Sequence, residues 1–84
     1  MKPCEHATLT PSPQGAFVLD TRTGTCFALN AVGVEVWNGL KNGRSTDEIV
    51  STLVGMFDEV PRTKIVADVA TFIRALESRN LVTP

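Results

Sequence analysis

The sequence has no block of like charge, no long apolar run, a single histidine and two cysteines. Each scarcity excludes a class of function. Eight basic residues stand against nine acidic ones, for a formal net charge of −1. A nucleic-acid binder of this size carries a basic stripe that releases phosphate counterions. None is present, so nucleic acid is not an expected partner. No run reaches the roughly 18 apolar residues that mark a membrane-spanning helix, so no membrane partner is expected. The opening Met1-Lys2-Pro3-Cys4-Glu5-His6 lacks the apolar stretch of a signal peptide, and the expected compartment is the cytoplasm. Cys4 and Cys26 are far apart and form no CxxC motif. With His6 as the one histidine they do not make a four-ligand zinc site. Two separate reduced thiols are expected, with Cys26 core-like in an apolar strand. No metal or cofactor is implied.

Catalytic signals are equally sparse. A nucleophile needs an adjacent base and an orienting group, and His6 is placed on a terminus expected to be frayed. Asp47 and Glu48 form a carboxylate pair, but in the first turn of a helix they complement the helix dipole. The glycines are scattered rather than gathered into a phosphate-cradling loop, and each has a turn, cap or packing explanation. Trp37, with Val36 and Leu40 at helical spacing, reads as core. Met56 and Phe57 read as core or near-core. Arg62, Lys64, Arg74 and Arg79 read as a solvated helix face. The chain is expected not to be an enzyme.

What is there is a good set of local structure signals. Hydrophobic residues make up 43% and charged residues 20% of the chain, the composition of an ordinary globular domain. A single domain over residues 1–84 is expected. Residues 16–20 read as a strand, Thr21 to Gly24 as a turn with positive φ at Gly24, and residues 25–29 as the returning strand. A weaker strand over 7–10 precedes a linker at 11–15, whose Pro11 and Pro13 keep that strand short or peripheral. Asn30 reads as the N-cap of a helix that ends at Gly43. Ser45 and Glu48 fit a capping box for a helix that stops near Phe57-Asp58. Pro61 suits the first turn of a third helix, whose buried stripe is Ile65, Val69, Phe72, Ile73 and Leu76. Asn80 is placed in the left-handed region, with Leu81 and Val82 folding back on the core. The fold class is α+β, winged-helix-like: a three-stranded antiparallel β-sheet followed by three α-helices.

This arrangement favours binding. The strand at 25–29 is a sheet edge, short and apolar, with no proline or lysine to block pairing. Such an edge accepts an extended peptide as a further strand. A long third helix beside it makes a groove suited to one or two apolar anchors.

An ordered series of residues carries a family resemblance. It comprises Gly24, Leu29-Asn30, Gly33, Val36-Trp37, Leu40 and Gly43, then Ser45, Glu48-Ile49-Val50 and Leu53, then Asp68-Val69, Phe72-Ile73, Leu76 and Leu81-Val82. The series, over residues 16–82, resembles the PqqD-like leader-peptide recognition domains, also called RiPP recognition elements. The resemblance implies a non-catalytic domain that binds the leader segment of a precursor peptide as an antiparallel strand. Carried over here, the strand contacts are Thr25, Cys26, Phe27, Ala28 and Leu29, and the helix contacts are Ile65, Asp68, Val69 and Phe72. It also implies a partner enzyme. The free-standing form expected here serves lasso peptide systems, with a leader peptidase, or pyrroloquinoline quinone biosynthesis, with a radical enzyme. The apolar strand Cys26-Phe27-Ala28-Leu29-Asn30 favours the lasso type. The chain has no tyrosine; family members often carry one in this strand, and Phe27 stands there without the hydroxyl. A winged-helix nucleic-acid binder and a small thiol enzyme using Cys4 or Cys26 are the competing classes.

Overall fold

The computed structural model describes residues 1–13 and 15–83. Gln14, within the stretch read as a linker, lies outside the described residues. Among these residues the order is β1 (Lys2–Pro3), β2 (Ala7–Ser12), β3 (Gly15–Asp20), β4 (Cys26–Leu29), α1 (Ala31–Lys41), α2 (Thr46–Met56), α3 (Arg62–Ser78) and β5 (Val82–Thr83). The strands β2-β3-β4 form an antiparallel sheet in that order. This is the expected α+β, winged-helix-like arrangement.

Local chemistry sets the element ends. Asn30 Oδ1 accepts from the Gly33 N–H at 2.8 Å and starts α1. Gly43, at φ 74°, follows its last turn in the left-handed region that glycine occupies without strain. The capping box at α2 is complete: Glu48 N–H donates to Ser45 Oγ, and Ser45 N–H donates to Glu48 Oε1. Pro61 precedes α3 as its N-cap rather than occupying its first turn. Asn80 adopts φ 57° and turns the chain back, so that Leu81 and Val82 are buried.

The core lies between the sheet and the helices. Val18 and Leu29 from the sheet meet Val36, Trp37 and Leu40 of α1, Ile49, Val50 and Leu53 of α2, and Ile65, Val69, Ile73 and Leu76 of α3. Trp37 is a core residue, as its spacing implies. Phe57 packs against the core from its edge. Met56 does not: at the end of α2 it is 52% exposed. The contact of α1 with α2 is close because Gly39 has no side chain. A Cβ there would stand 2.5 Å from Ile49 Cγ1.

Three further expectations change. The strand read at 7–10 runs on to Ser12 and pairs with β3 along its whole length. Pro11 is accommodated because of main-chain alternation. In an antiparallel ladder, only every second residue turns its N–H and C=O toward the partner. Thr21 N–H donates to His6 O at 2.9 Å, which places the even-numbered residues of β2 against β3. Pro11, at an odd position, turns its missing N–H outward. Second, the N-terminus is docked rather than frayed. β1 pairs antiparallel with β5, Cys4 N–H donates to Leu81 O at 2.9 Å, and His6 Nε2 lies 2.7 Å from Asn80 O. Third, Cys26 is exposed rather than core-like, and both cysteines are free thiols. In a four-residue strand with apolar residues on both faces, Phe27 and Leu29 take the helix side, which turns Cys26 outward.

The β3–β4 turn is braced by an ion pair. The Arg22 guanidinium donates to both Asp20 carboxylate oxygens, at 3.2 and 3.0 Å, and Arg22 N–H donates to Oδ1 at 2.9 Å. The hydrogen bond from the Arg22 side chain is the main cause that holds the Asp20 carboxyl below its ordinary range. A carboxyl whose pKa is lower in the folded state contributes stability above its unfolded value and loses it as pH falls through the folded one. Thermal melts should therefore show wild-type stability falling below about pH 4, and Asp20→Asn should flatten that fall. Equal pH dependence of the two proteins would refute a stabilising role for this pair. Gly39→Ala should lower stability by about 1–3 kcal/mol through overpacking against Ile49, measured by urea unfolding.

Candidate functional site

β4 is an edge of the sheet, and its open side faces α3. The register pairs Leu19 with Cys26, Val18 with Phe27, Phe17 with Ala28 and Ala16 with Leu29. Asp20 N–H donates to Thr25 O at 2.9 Å in the same register. Thr25, Phe27 and Leu29 thus turn their main-chain groups toward β3, whereas Cys26 and Ala28 turn theirs to the open edge. Two N–H and two C=O groups stand ready for a further strand.

The two sheet edges differ. On the free side of β2, Ala7 N–H is bonded to Cys4 O at 3.1 Å, and Pro11 has no N–H. A proline and an occupied donor discourage pairing on that side. The β4 edge has neither.

The side chains of Phe27 and Leu29 project toward the helices, as alternation requires. Phe27 meets Phe72 of α3 edge-on, with ring centroids 5.6 Å apart and planes at 88°. The Arg79 guanidinium lies over the Phe27 ring at 4.7 Å from its centroid. Arg79 is thus not merely a solvated charge. The Phe72 ring packs over α1 where Gly33 has no Cβ: one added there would come within 2.7 Å of the ring.

On one side of Phe27 lies a groove of about 760 Å³ between β4, the start of α1 and α3. Phe27, Leu29, Val32 and Phe72 supply its apolar surface, and Lys64, Asp68, Thr71 and Ala75 supply the helix wall. Lys64 Nζ and Asp68 Oδ2 pair at 3.3 Å. On the other side of Phe27 a smaller cavity of about 320 Å³ runs between Thr25, Cys26 and the last turn of α3 at Ser78 and Arg79.

The structure brings Phe27, Ala28, Leu29, Asp68 and Phe72 together around the larger groove. Thr25 and Cys26 border the smaller cavity. Ile65 and Val69 are elsewhere: they are buried beneath α3, at 3% and 0% exposure. Their places on the groove wall are taken by Lys64, Thr71 and Ala75, with Asn30 and Val32 at the start of α1. The signal for these was present in the sequence. Positions 64, 68, 71, 72, 75 and 79 form a second helical stripe, adjacent to the apolar one.

Among the described residues no group of three or more His, Cys, Asp or Glu could hold a metal ion. No helix among them is long and apolar enough to cross a membrane. What this site offers is main-chain hydrogen bonding beside an apolar groove.

The same architecture occurs in solved structures. "TbiB1 in complex with the TbiA(beta) leader peptide" is 31% identical, with a TM-score of 0.83, over 96% of this chain and 93% of that one. "Lasso peptide synthetase B1 complexed with the leader peptide" is 23% identical, with a TM-score of 0.87, over 99% of this chain and 96% of that one, a likeness of fold. No curated protein sequence matches. The family described as Coenzyme PQQ synthesis protein D matches residues 15–82. With that match over most of its length, the chain belongs to the PqqD family.

Proposed function

We propose that this protein binds the leader segment of a ribosomally made precursor peptide as an added strand on β4, and presents it to a modifying enzyme without itself catalysing a reaction. The observation that carries this reading is the open edge at Cys26 and Ala28 beside the groove under Phe27 and Phe72. The 31% identical TbiB1, in complex with a leader peptide, supports it. The fold shared with a lasso peptide synthetase B1, also complexed with a leader peptide, favours a lasso peptide system, with a leader peptidase as the partner that receives the presented peptide. The family description also admits a pyrroloquinoline quinone pathway, with a radical enzyme in that place.

The energetics are adequate. A few main-chain bonds contribute about 0.5–1.5 kcal/mol each. One or two buried anchors add roughly 1.5–3 kcal/mol each, and ordering the peptide removes about 2–5 kcal/mol. At the favourable end of these ranges the balance reaches about micromolar affinity. Thr25, Cys26, Phe27, Ala28 and Leu29 form the strand side of the proposed contact. On the helix side Asp68 and Phe72 meet the peptide directly, and Ile65 and Val69 act from beneath by fixing the height of α3.

A proline tests the main-chain claim cleanly. Ala28 turns its N–H away from β3, so Ala28→Pro leaves the β3–β4 ladder intact and blocks strand addition. Leader-peptide affinity, measured by fluorescence anisotropy with the TbiA(beta) leader as first probe and further precursor leaders beside it, should fall about tenfold or more. The melting temperature should stay close to wild type. Phe27→Pro, one residue earlier, should instead unfold the sheet edge. A folded Ala28→Pro protein with undiminished affinity would refute strand addition on β4. Phe72→Ala should also weaken binding, by removing the ring that walls the groove. It should cost roughly 3 kcal/mol of stability or less, since the ring is only partly buried.

A further inference from the structure

The two ends of the groove differ in charge. At the larger end Lys64 and Asp68 neutralise one another, and the remaining surface is dominated by aromatic and aliphatic side chains. At the smaller end two guanidinium groups, Arg22 and Arg79, face one carboxylate, Asp20. Asp20 is fully engaged by Arg22, which binds both its oxygens. Arg79 has no carboxylate partner among the described residues. Its guanidinium is held over the Phe27 ring, so its charge is fixed at the groove rather than free to swing in solvent. Ser78, Thr23 and Thr25 also line this cavity, with the Ser78 hydroxyl donating to Ala75 O and the two threonine hydroxyls bonded to one another.

We infer that the end of the groove beside Arg79 is a carboxylate subsite. The bound strand then carries an Asp or Glu about four residues C-terminal to its apolar anchor. This rests on the strand-addition reading above and deepens it to a sequence preference. The spacing follows from the strand geometry. A peptide antiparallel to β4 passes Leu29 first and Thr25 last. Its side chains opposite Leu29, Phe27 and Thr25 share the face toward α3, at positions i, i+2 and i+4. Position i lies over the apolar end and i+4 over the cationic end. Antiparallel addition continues the pattern of the whole sheet and gives the stronger ladder.

A synthetic peptide array tests the order and the spacing together. Each ten-residue peptide carries one leucine or phenylalanine and a single glutamate, placed from one to six positions to either side of it. Purified wild-type protein should favour glutamate four positions C-terminal to the anchor. In solution, that peptide should bind about threefold to fivefold more tightly than its glutamine counterpart. Arg79→Gln should abolish the difference, Arg79→Lys should keep part of it, and added salt should shrink it. Peptide binding with no preferred glutamate position, or a preference that survives Arg79→Gln, overturns the subsite and leaves strand addition standing. A preference for glutamate N-terminal to the anchor overturns the proposed order. Failure of every peptide, and of precursor leaders, to bind overturns both readings.

Discussion

The molecule depends on how α3 is seated. Ile65, Val69, Ile73 and Leu76 bury one stripe of the helix in the core, and this fixes its height and rotation over the sheet. The adjacent stripe, from Lys64 to Arg79, is thereby turned toward the free side of β4. A helix rotated by one residue would bring a different set of side chains to that edge. The seating is reinforced along the helix and beyond its last turn. Phe72 rests on α1 at Gly33. Beyond the last turn Asn80 reverses the chain, so that Leu81 and Val82 are buried and β5 pairs with β1. The groove is the space that this packing leaves beside an unpaired strand.

The sheet contributes an asymmetry. Both outer strands have a free side, but only one is suited to receive another strand. On β2 the outward positions include Pro11 and an Ala7 N–H already bonded to Cys4 O. On β4 they are Cys26 and Ala28, with no proline and no local acceptor. A small domain with an open edge carries an aggregation hazard, and confining the opening to four residues limits it. In the proposed binding mode, affinity comes from main-chain bonds, and specificity from what the groove admits on either side of Phe27.

Much of this was legible in the sequence, and the pattern of success is physical. The Ser45/Glu48 capping box, the Asn30 cap, the positive φ at Gly24 and the left-handed Asn80 are decided within a few residues of chain. Features decided at long range were not legible. His6 reads as a frayed histidine because its partner, Asn80 O, is 74 residues away, and β1 is visible only once β5 is in place. Strand parity was also hidden. Cys26-Phe27-Ala28-Leu29 has apolar residues on both faces, so hydrophobicity alone does not say which face turns outward, and a core-like Cys26 is the wrong choice of the two. The groove's helix wall was half legible for a related reason. An apolar stripe marks what a helix buries, and Ile65 and Val69 belong to it. A groove wall lies at the stripe's border, where Lys64, Asp68, Thr71 and Ala75 carry no shared chemical signature.

In the proposed complex Cys26 and Ala28 hold the peptide by their main chain. Residue-resolved amide hydrogen exchange tests this most directly. In the free protein the Phe27 and Leu29 amides should be protected by β3, while those of Cys26 and Ala28 exchange readily. With a saturating leader peptide, exchange at Cys26 and Ala28 should slow by about tenfold or more. A leader that binds tightly while both amides exchange as they do in the free protein would contradict the account.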